Sequence, residues 1–258
     1  MKIDGEILEK RAYPSPNPAI RLTEITYISQ GLRVKGLLAE PKVKGTYDGF
    51  LYLRGGIQNV GMVRAPRIAQ FAAQGFIVFA PYYRGNRGGE GRDEFAGDDR
   101  FDAVHGVEVL KQYCNDRVHV FGFSRGGMMA LWTAIIRNDI TSIVTWAGVS
   151  DATATYWERM DMRRMMKRVI GGTPNRVPEA YDARTPLFEV EEIKAPVLII
   201  HGLRDENVEI EHARQLEFYL EEEKRSVETW YYENLTHFFP PEVNRQVVRK
   251  LCNWMKAQ

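Results

Sequence analysis

From residue 76 onward, short apolar strands alternate with helical segments, and this alternation constrains the fold more than any other feature of the sequence. Continuous apolar runs such as residues 76–80 and 197–200 are typical of strands that are buried on both faces of a sheet. Helical segments lie between them, so each crossover connects two parallel strands in the right-handed sense. The sequence predicts an α/β fold, a mostly parallel twisted sheet of about eight strands with helices on both faces.

The first part of the chain follows a different pattern. Residues 1–19 include three closely spaced prolines, which disrupt helices and central strands, and we expect an extended lead-in there. Two runs with alternating apolar residues follow, residues 20–29 and 32–40, and Gln30-Gly31 between them predicts a hairpin. A chain of 258 residues is typical of one α/β domain, so we expect a single domain over residues 1–258.

Composition excludes several classes of partner. The 35 Lys and Arg residues against 34 Asp and Glu leave a net charge of +1, so no molecule-wide field attracts nucleic acid or an anionic membrane. No stretch approaches the roughly 18 apolar residues that cross a bilayer, and the polar start lacks a secretory signal. Cys114 and Cys252 lie far apart, as in reduced proteins. We expect a cytoplasmic protein with neither nucleic-acid nor membrane partners; self-association stays open.

The motif Gly122-Phe123-Ser124-Arg125-Gly126 lies directly between an apolar strand and a helical segment. This is the context of a nucleophile elbow, in which a serine occupies a strained turn that flanking glycines make room for. The turn lifts the hydroxyl clear of the sheet, and the following amide lies at a helix N-terminus. The pattern predicts Ser124 as a nucleophile and the N–H of Arg125 as an oxyanion-hole donor.

A serine nucleophile needs a base and an acid that orients it. Asp205 follows the apolar strand at residues 197–200, and His237 follows the strand at residues 227–232. The order Ser, Asp, His and the positions after strand ends match an α/β-hydrolase triad. Glu206, next to Asp205, is the alternative acid, and we prefer Asp205 because of its position in the motif.

The loop Arg54-Gly55-Gly56 follows the strand near residue 50, where this fold places its second oxyanion donor. We expect Gly56 N–H to be that donor and the Arg54 side chain to contribute to binding; a plain tight turn is the alternative. The glycine-rich segment 82–91 matches neither phosphate-binding fingerprint, and the sequence has no His-Glu-x-x-His pair. The sequence therefore predicts no nucleotide, no metal and no other cofactor.

Residues 151–193 interrupt the alternation and predict a lid-like helical insertion. Within it, apolar residues at helical spacing predict a helix over residues 156–170, with basic residues on its other face. We favour a helix packed on the core with a solvated basic face. The alternatives are a mobile lid over the site and a nucleic-acid-binding stripe, although no aromatic residues alternate with the basic ones there.

Together these residues resemble the catalytic domain of the prolyl oligopeptidase family (peptidase family S9), from about residue 20 to the C-terminus, and its short stand-alone bacterial members above all. The segments that carry the resemblance are the serine motif with Gly127, Arg54-Gly55-Gly56, Tyr83-Arg84-Gly85, Tyr156-Trp157-Glu158-Arg159-Met160, His201-Gly202-Leu203-Arg204-Asp205-Glu206-Asn207-Val208 and Thr236-His237.

The resemblance implies an α/β-hydrolase with Ser124 as nucleophile, His237 as base and Asp205 as its orienting acid. It also implies that Tyr156 lines the pocket for the residue before the scissile bond, with Asn207 and Val208 nearby. Met160 stands where proline-cleaving members have a second tyrosine, which argues against a strict proline preference.

The family's N-terminal propeller has no counterpart in this sequence, so we expect no substrate-screening domain. We therefore expect a serine peptidase that acts on short peptides or aminoacyl derivatives. A carboxylesterase acting on small acyl esters is the first alternative, and a catalytically silent binding protein is the second.

Overall fold

The computed structural model describes residues 3–258, and within them nine strands form one sheet. The strands are β1 (Ile7–Tyr13), β2 (Ile20–Ser29), β3 (Leu32–Pro41), β4 (Asp48–Leu53), β5 (Phe76–Pro81), β6 (Val118–Phe123), β7 (Ser142–Trp146), β8 (Val197–Gly202) and β9 (Val227–Tyr232). Their spatial order is β1-β2-β3-β5-β4-β6-β7-β8-β9. The pairs from β5 to β9 are parallel, and those from β1 to β5 through β3 are antiparallel.

The predicted α/β architecture is confirmed, with one strand more than expected. The additional strand is β1, which lies within the lead-in at residues 1–19 and pairs with β2 at the edge of the sheet. An edge strand pairs with a neighbour on one side only. The exposed residues of β1 form no apolar run, so the pattern of the sequence did not reveal this strand. The predicted hairpin is present, since Ser29 pairs with Leu32 and both Gln30 and Gly31 have positive φ.

Helices cover both faces of the sheet. They are α1 (Ala65–Ala72), α2 (Arg100–Lys111), α3 (Gly126–Ile136), α4 (Ala152–Glu158), α5 (Arg163–Ile170), α6 (Pro178–Asp182), α7 (Ile210–Glu222) and α8 (Pro241–Ala257), with a 3-10 helix at Pro186–Glu192. One hydrophobic core lies between the sheet and α2, α3 and α7, and a second lies under α1 and α8. In residues 3–258, no helix combines the length and the apolarity that a membrane span requires.

The insertion is helical as expected, but its predicted helix over residues 156–170 is two helices. The first, α4, ends at Glu158, because Arg159 leaves the helical region at φ −103° and ψ 83°. The Arg163 guanidinium then donates to the carbonyls of Tyr156 and Trp157, which the end of α4 leaves free. Residues 159–162 contain neither proline nor glycine, so the sequence carries no helix-breaking residue at this point.

Glycines at the turn after β6 allow close backbone packing. A Cβ on Gly122 would lie 2.1 Å from the carbonyl oxygen of Gly126, and a Cβ on Gly126 would lie 2.1 Å from that of Leu53. Ser124 between them has φ 56°, a left-handed conformation that costs a non-glycine residue free energy. The start of α3 is thus seated directly on the end of β4, which no side chain at position 126 would permit.

We expect Gly126→Ala to destabilise the fold by more than about 3 kcal/mol, because the new methyl group meets backbone atoms that cannot rotate away. Gly106→Ala in α2 is the matched control, since its Cβ would meet only side chains at 3.4 Å or more. The control should be neutral or stabilising by up to about 1 kcal/mol, as alanine favours helix. Urea unfolding measures both, and equal stabilities for the two variants would contradict this packing.

Candidate active site

The predicted site residues follow strands whose carboxyl ends meet at one edge of the sheet. Ser124 follows β6, Asp205 lies just beyond β8, and His237 lies beyond β9. Backbone bonds tie the last two loops together, because Leu203 N–H donates to Tyr232 O (2.9 Å) and Arg204 N–H to Leu235 O (3.0 Å). Open α/β sheets place their ligand sites at this edge.

The backbone around Ser124 is fixed on both sides. Its N–H donates to Trp146 O at 3.1 Å, and its carbonyl accepts from the N–H groups of Gly127 and Val149 at 2.8 and 3.0 Å. The side chain lies against Gly55, where a Cβ would be 2.7 Å from Ser124 Cβ and 3.3 Å from Oγ. The loop after β4 therefore approaches the serine so closely that only glycine fits beside it.

Asp205 and His237 form a buried pair. His237 Nδ1 lies 2.8 Å from Asp205 Oδ2, while Asp205 Oδ1 accepts the N–H groups of Asn207 (2.8 Å) and Val208 (3.0 Å). Burial alone raises the pKa of Asp205, but the hydrogen bond and charge of His237 and the two amides outweigh it and lower that pKa. The carboxylate therefore stays ionised and can hold Nδ1–H, which leaves Nε2 free to accept a proton. Glu206 is exposed and makes no such contact.

The imidazole of His237 lies next to the strand end that carries the serine. Its ring centroid is 4.9 Å from that of Phe123, the residue before Ser124, and 4.8 Å from that of Phe238. The hydrogen bonds of residues 3–258 include none between the Ser124 hydroxyl and this ring. The structure thus joins His237 to Asp205 and brings both next to the loop of Ser124. The hydrogen bond between Ser124 Oγ and His237 is not formed. Such bonds are often long in free enzymes and tighten with substrate.

His201, the residue before the last of β8, packs against the loop that carries Asp205. The ring is fully buried, its Nε2 donates to Val208 O at 2.9 Å, and the same atom lies 3.5 Å from Asp205 Oδ2. Burial lowers the pKa of this imidazole, so it is neutral at physiological pH. These contacts give His201 a structural role in the loop that carries Asp205, four residues further along the chain.

The two predicted oxyanion donors lie on loops that flank the serine. Arg125 N–H belongs to the residue directly before α3, and Gly56 has φ 65° in a turn where a Cβ would be 2.3 Å from Val60 O. Backbone N–H groups at a helix start are suited to a developing negative charge. The geometry can therefore support a nucleophile, a base and two electrostatic donors at one edge.

Comparison with known protein families decides the family. Residues 63–258 match the model of the prolyl oligopeptidase family, Peptidase_S9. The chain belongs to the prolyl oligopeptidase family. The match begins later than residue 20, where the sequence resemblance was expected to start.

One curated relative matches this chain over nearly the whole length of both proteins. It is described as the uncharacterized peptidase YtmA of Bacillus subtilis (strain 168), and it is 59% identical over 254 residues, which cover 97% of this chain and 99% of the relative.

Two solved structures show the fold. The acylaminoacyl peptidase of Pyrococcus horikoshii superposes with a TM-score of 0.76 at 18% identity, covering 97% of this chain and 42% of the other. The acetyl xylan esterase of Paenibacillus sp. R4 gives a TM-score of 0.74 at 15% identity, covering 96% and 88%. The chain thus spans less than half of the archaeal peptidase but most of the esterase.

The remaining residues predicted from the family lie around α4. Tyr156 is buried, with its ring 5.0 Å from that of Trp157, whereas Met160 is 75% exposed beyond the helix. Arg159 Nη1 donates to Asn207 O at 2.9 Å and so ties the end of α4 to the loop that holds Asp205. Val208 is also buried on that loop. The structure places Asn207 and Val208 next to the acid, whose Oδ1 accepts their N–H groups, while Tyr156 lies in the helix that Arg159 ties to this loop and Met160 lies in solvent.

Arg54 occupies a different environment from the one expected for a substrate-binding group. The side chain is 1% exposed, and its N–H groups donate to Tyr82 O, Gly55 O, Val60 O and Asp93 Oδ2. These bonds use all five donors of the guanidinium. Arg54 therefore has no donor left for a substrate, and its contribution to binding has to be indirect.

Sequence reasoning missed a buried charge cluster behind the serine. Four side chains form it, and all are nearly inaccessible to solvent: Arg54, Asp93, Asp99 and Arg125. Arg125 Nη1 contacts both carboxylates, that of Asp99 at 3.3 Å. The two acids lie in an irregular segment between β5 and α2, far in sequence from the arginines, and no local pattern marks them. The only local feature of the sequence at this cluster is an arginine directly before a glycine in each of two loops, at Arg54 and at Arg125.

Asp99 makes stability depend on pH in the opposite direction from an ordinary salt-bridged acid. Burial raises the pKa of its carboxyl from 3.8 to about 7. Between these values the folded protein holds a proton that the unfolded chain has released, so the free energy of unfolding falls as pH rises, by about 1.4 kcal/mol per pH unit at most. The Asp99→Asn side chain has no ionisable carboxyl, so this contribution to the pH dependence is lost.

We therefore expect the unfolding free energy of Asp99→Asn to increase relative to wild type between about pH 4 and about pH 7 in urea titrations. The difference between the two proteins cancels the contributions of other titrating groups. A difference that stayed constant over this range would show that Asp99 is ionised throughout.

Proposed function

We propose that Ser124, His237 and Asp205 are the catalytic triad of this serine hydrolase. The observation that carries the proposal is the 2.8 Å contact between His237 Nδ1 and Asp205 Oδ2, beside a serine held at φ 56° in a strand-to-helix turn. Family membership supports the same chemistry. Both the geometry and the order of the motifs support the role proposed for each residue.

In the proposed reaction, His237 Nε2 accepts the Ser124 proton while Oγ attacks the substrate carbonyl. Asp205 holds the imidazole in the correct tautomer and stabilises the imidazolium that forms. The N–H groups of Arg125 and Gly56 bind the oxyanion, and each contributes about 3–4 kcal/mol to lowering the barrier. His237 then protonates the leaving group, and a water molecule releases the acyl group by the same route.

Short peptides or aminoacyl derivatives are the proposed substrates. The relative YtmA is described as a peptidase, and the archaeal structure with the same fold is described as an acylaminoacyl peptidase. Two exposed apolar side chains adjoin predicted site residues, Trp157 (47% exposed) beside Tyr156 and Phe238 (69% exposed) beside His237. These surfaces favour a substrate with an apolar side chain near the scissile bond.

A carboxylesterase is the second candidate. The acetyl xylan esterase that shares the fold is similar in length, since this chain covers 88% of it. Amide and ester hydrolysis use the same acyl-enzyme, and an amide requires a proton on its leaving group. The two functions therefore differ in substrate selection rather than in the triad.

Paired chromogenic substrates separate these functions. Each pair has one acyl group, such as leucyl or acetyl, attached to p-nitroaniline or to p-nitrophenol. We expect the leucyl anilide to be hydrolysed, and turnover of acetyl esters without any anilide would establish the esterase instead. A folded protein that hydrolyses neither and does not react with a fluorophosphonate would establish the silent binding protein.

A cytoplasmic location stays a proposal, and the two free cysteines, of which Cys252 is buried, support it. The sequence leaves self-association open, and sedimentation velocity tests it. The family implies a small-molecule or peptide substrate, and the near-neutral charge supports the proposal that nucleic acid is not a partner.

A further inference from the structure

One buried carboxylate contacts both loops of the proposed oxyanion hole. Asp93 Oδ2 accepts from Arg54 Nη2 at 3.3 Å, from the backbone N–H of Gln58 at 3.1 Å and from Asn86 Nδ2 at 3.2 Å. Asp93 Oδ1 accepts a short hydrogen bond from Arg125 Nη1. Its side chain is 1% exposed, so it does not reach a substrate.

The partners of Asp93 lie next to the two donors. Arg54 and Gln58 are each two residues from Gly56 in the loop after β4, and Arg125 carries the other N–H on its own backbone. From these contacts we infer that Asp93 is a positioning residue that fixes the two oxyanion donors relative to each other. This inference rests on the proposed function.

The charge of Asp93 matters as much as its position. The guanidinium groups of Arg54 and Arg125 lie 5.1 and 4.9 Å from the same Tyr83 ring. Burial and the Arg125 charge lower the pKa of Arg54 to about 10, so both arginines remain charged at neutral pH. Without a carboxylate between them, two buried cations would repel each other, and the loops that carry them would move apart.

Asp93 is ionised under the conditions of catalysis. Burial would raise its pKa, but Arg125, Arg54 and the Gln58 amide outweigh this and lower it to about 2. Asp99 forms an ion pair with Arg125 but none with Arg54, and in residues 3–258 its carboxylate accepts no hydrogen bond from the loop after β4. Asp93 is therefore the acid that joins the two loops, and Asp99 is not equivalent to it.

A donor that is misplaced by a fraction of an ångström loses most of its effect on the transition state, since an oxyanion needs N–H groups at about 2.7–3.1 Å. Loss of the Asp93 charge should therefore lower kcat and leave KM nearly unchanged. We expect Asp93→Asn to reduce kcat for p-nitrophenyl acetate by about 100-fold or more, with KM within about threefold. Asp98→Asn, at an exposed acid in the same segment, should match wild type.

Affinity for phenylboronic acid tests the geometry independently of the rate, because its tetrahedral serine adduct places an oxygen in the oxyanion hole. The inhibition constant should rise in Asp93→Asn in step with the loss of kcat, and Asp93→Glu should restore part of both. All rates are measured at least about 10 °C below each variant's unfolding midpoint, so that a folding defect is not read as a catalytic one.

If Asp93→Asn does not fold, Arg54→Lys supplies the same readout, since lysine keeps the charge but cannot span the carboxylate and the carbonyls. It should lower kcat by at least about tenfold at nearly constant KM. A folded Asp93→Asn or Arg54→Lys with wild-type kcat and inhibitor affinity overturns the inference and leaves the triad intact. Wild-type protein without esterase activity and without a fluorophosphonate adduct instead overturns the proposed function.

Discussion

Replacing Ser124 by alanine is expected to lower kcat by about 10⁶-fold, to the level that oxyanion donors and binding alone sustain. The reason is that no other hydroxyl lies at the turn after β6, so no acyl-enzyme can form. Alanine has the same Cβ as serine, and the strained backbone at φ 56° therefore changes little. Burst-phase and steady-state hydrolysis of an activated ester measure the loss.

The control for this variant is Ser226→Ala, an exposed serine before β9. Its kinetics and its unfolding midpoint should equal those of wild type. The Ser124→Ala protein should also unfold at nearly the wild-type temperature. Activity above about 1% of wild type in a pure, folded Ser124→Ala sample would mean that another nucleophile performs the reaction.

The second large effect is expected at the acid. Asp205→Asn should lower kcat by about 10⁴-fold, because the amide nitrogen would donate to His237 Nδ1 and hold the imidazole in the wrong tautomer. The amide oxygen can still accept the N–H groups of Asn207 and Val208, so the loop keeps its shape. The measurement is kcat/KM from about pH 5 to about pH 9, and the deficit should persist at every pH.

Glu206→Gln is the matched control for the acid, because it changes the neighbouring carboxyl in the same way. This residue is exposed and has no contact with His237, so kcat should stay within about twofold of wild type. A larger loss in Glu206→Gln than in Asp205→Asn would assign the orienting role to Glu206.

The sequence predicts those parts of the fold that depend on short-range patterns. Buried strands such as β5 and β8 begin as continuous apolar runs. The glycines around Ser124 mark a turn in which two backbone segments approach closely. By contrast, β1 is a half-exposed edge strand in which three charged residues, Glu9, Lys10 and Arg11, interrupt the apolar ones. Its pairing with β2 depends on backbone hydrogen bonds that leave no pattern in the sequence.

The site divides in the same way. Motif order predicts the residues of the triad, since each follows a strand whose end lies at one edge of the sheet. Asp93 could not be predicted, because its partners at positions 54, 58, 86 and 125 come from separate loops and meet only when the sheet has formed. The break between α4 and α5 depends on Arg159 and Arg163 bonding to carbonyls, which apolar periodicity does not record.

The most direct test of the central claim is to find the residue that reacts with a fluorophosphonate. Wild-type protein is treated with the reagent, digested, and the adduct is located by tandem mass spectrometry. The account predicts one adduct, on the hydroxyl of Ser124, whose formation slows by orders of magnitude when His237 is replaced by alanine. An active, folded protein whose adduct forms elsewhere, or whose Ser124 reacts equally fast without His237, would contradict it.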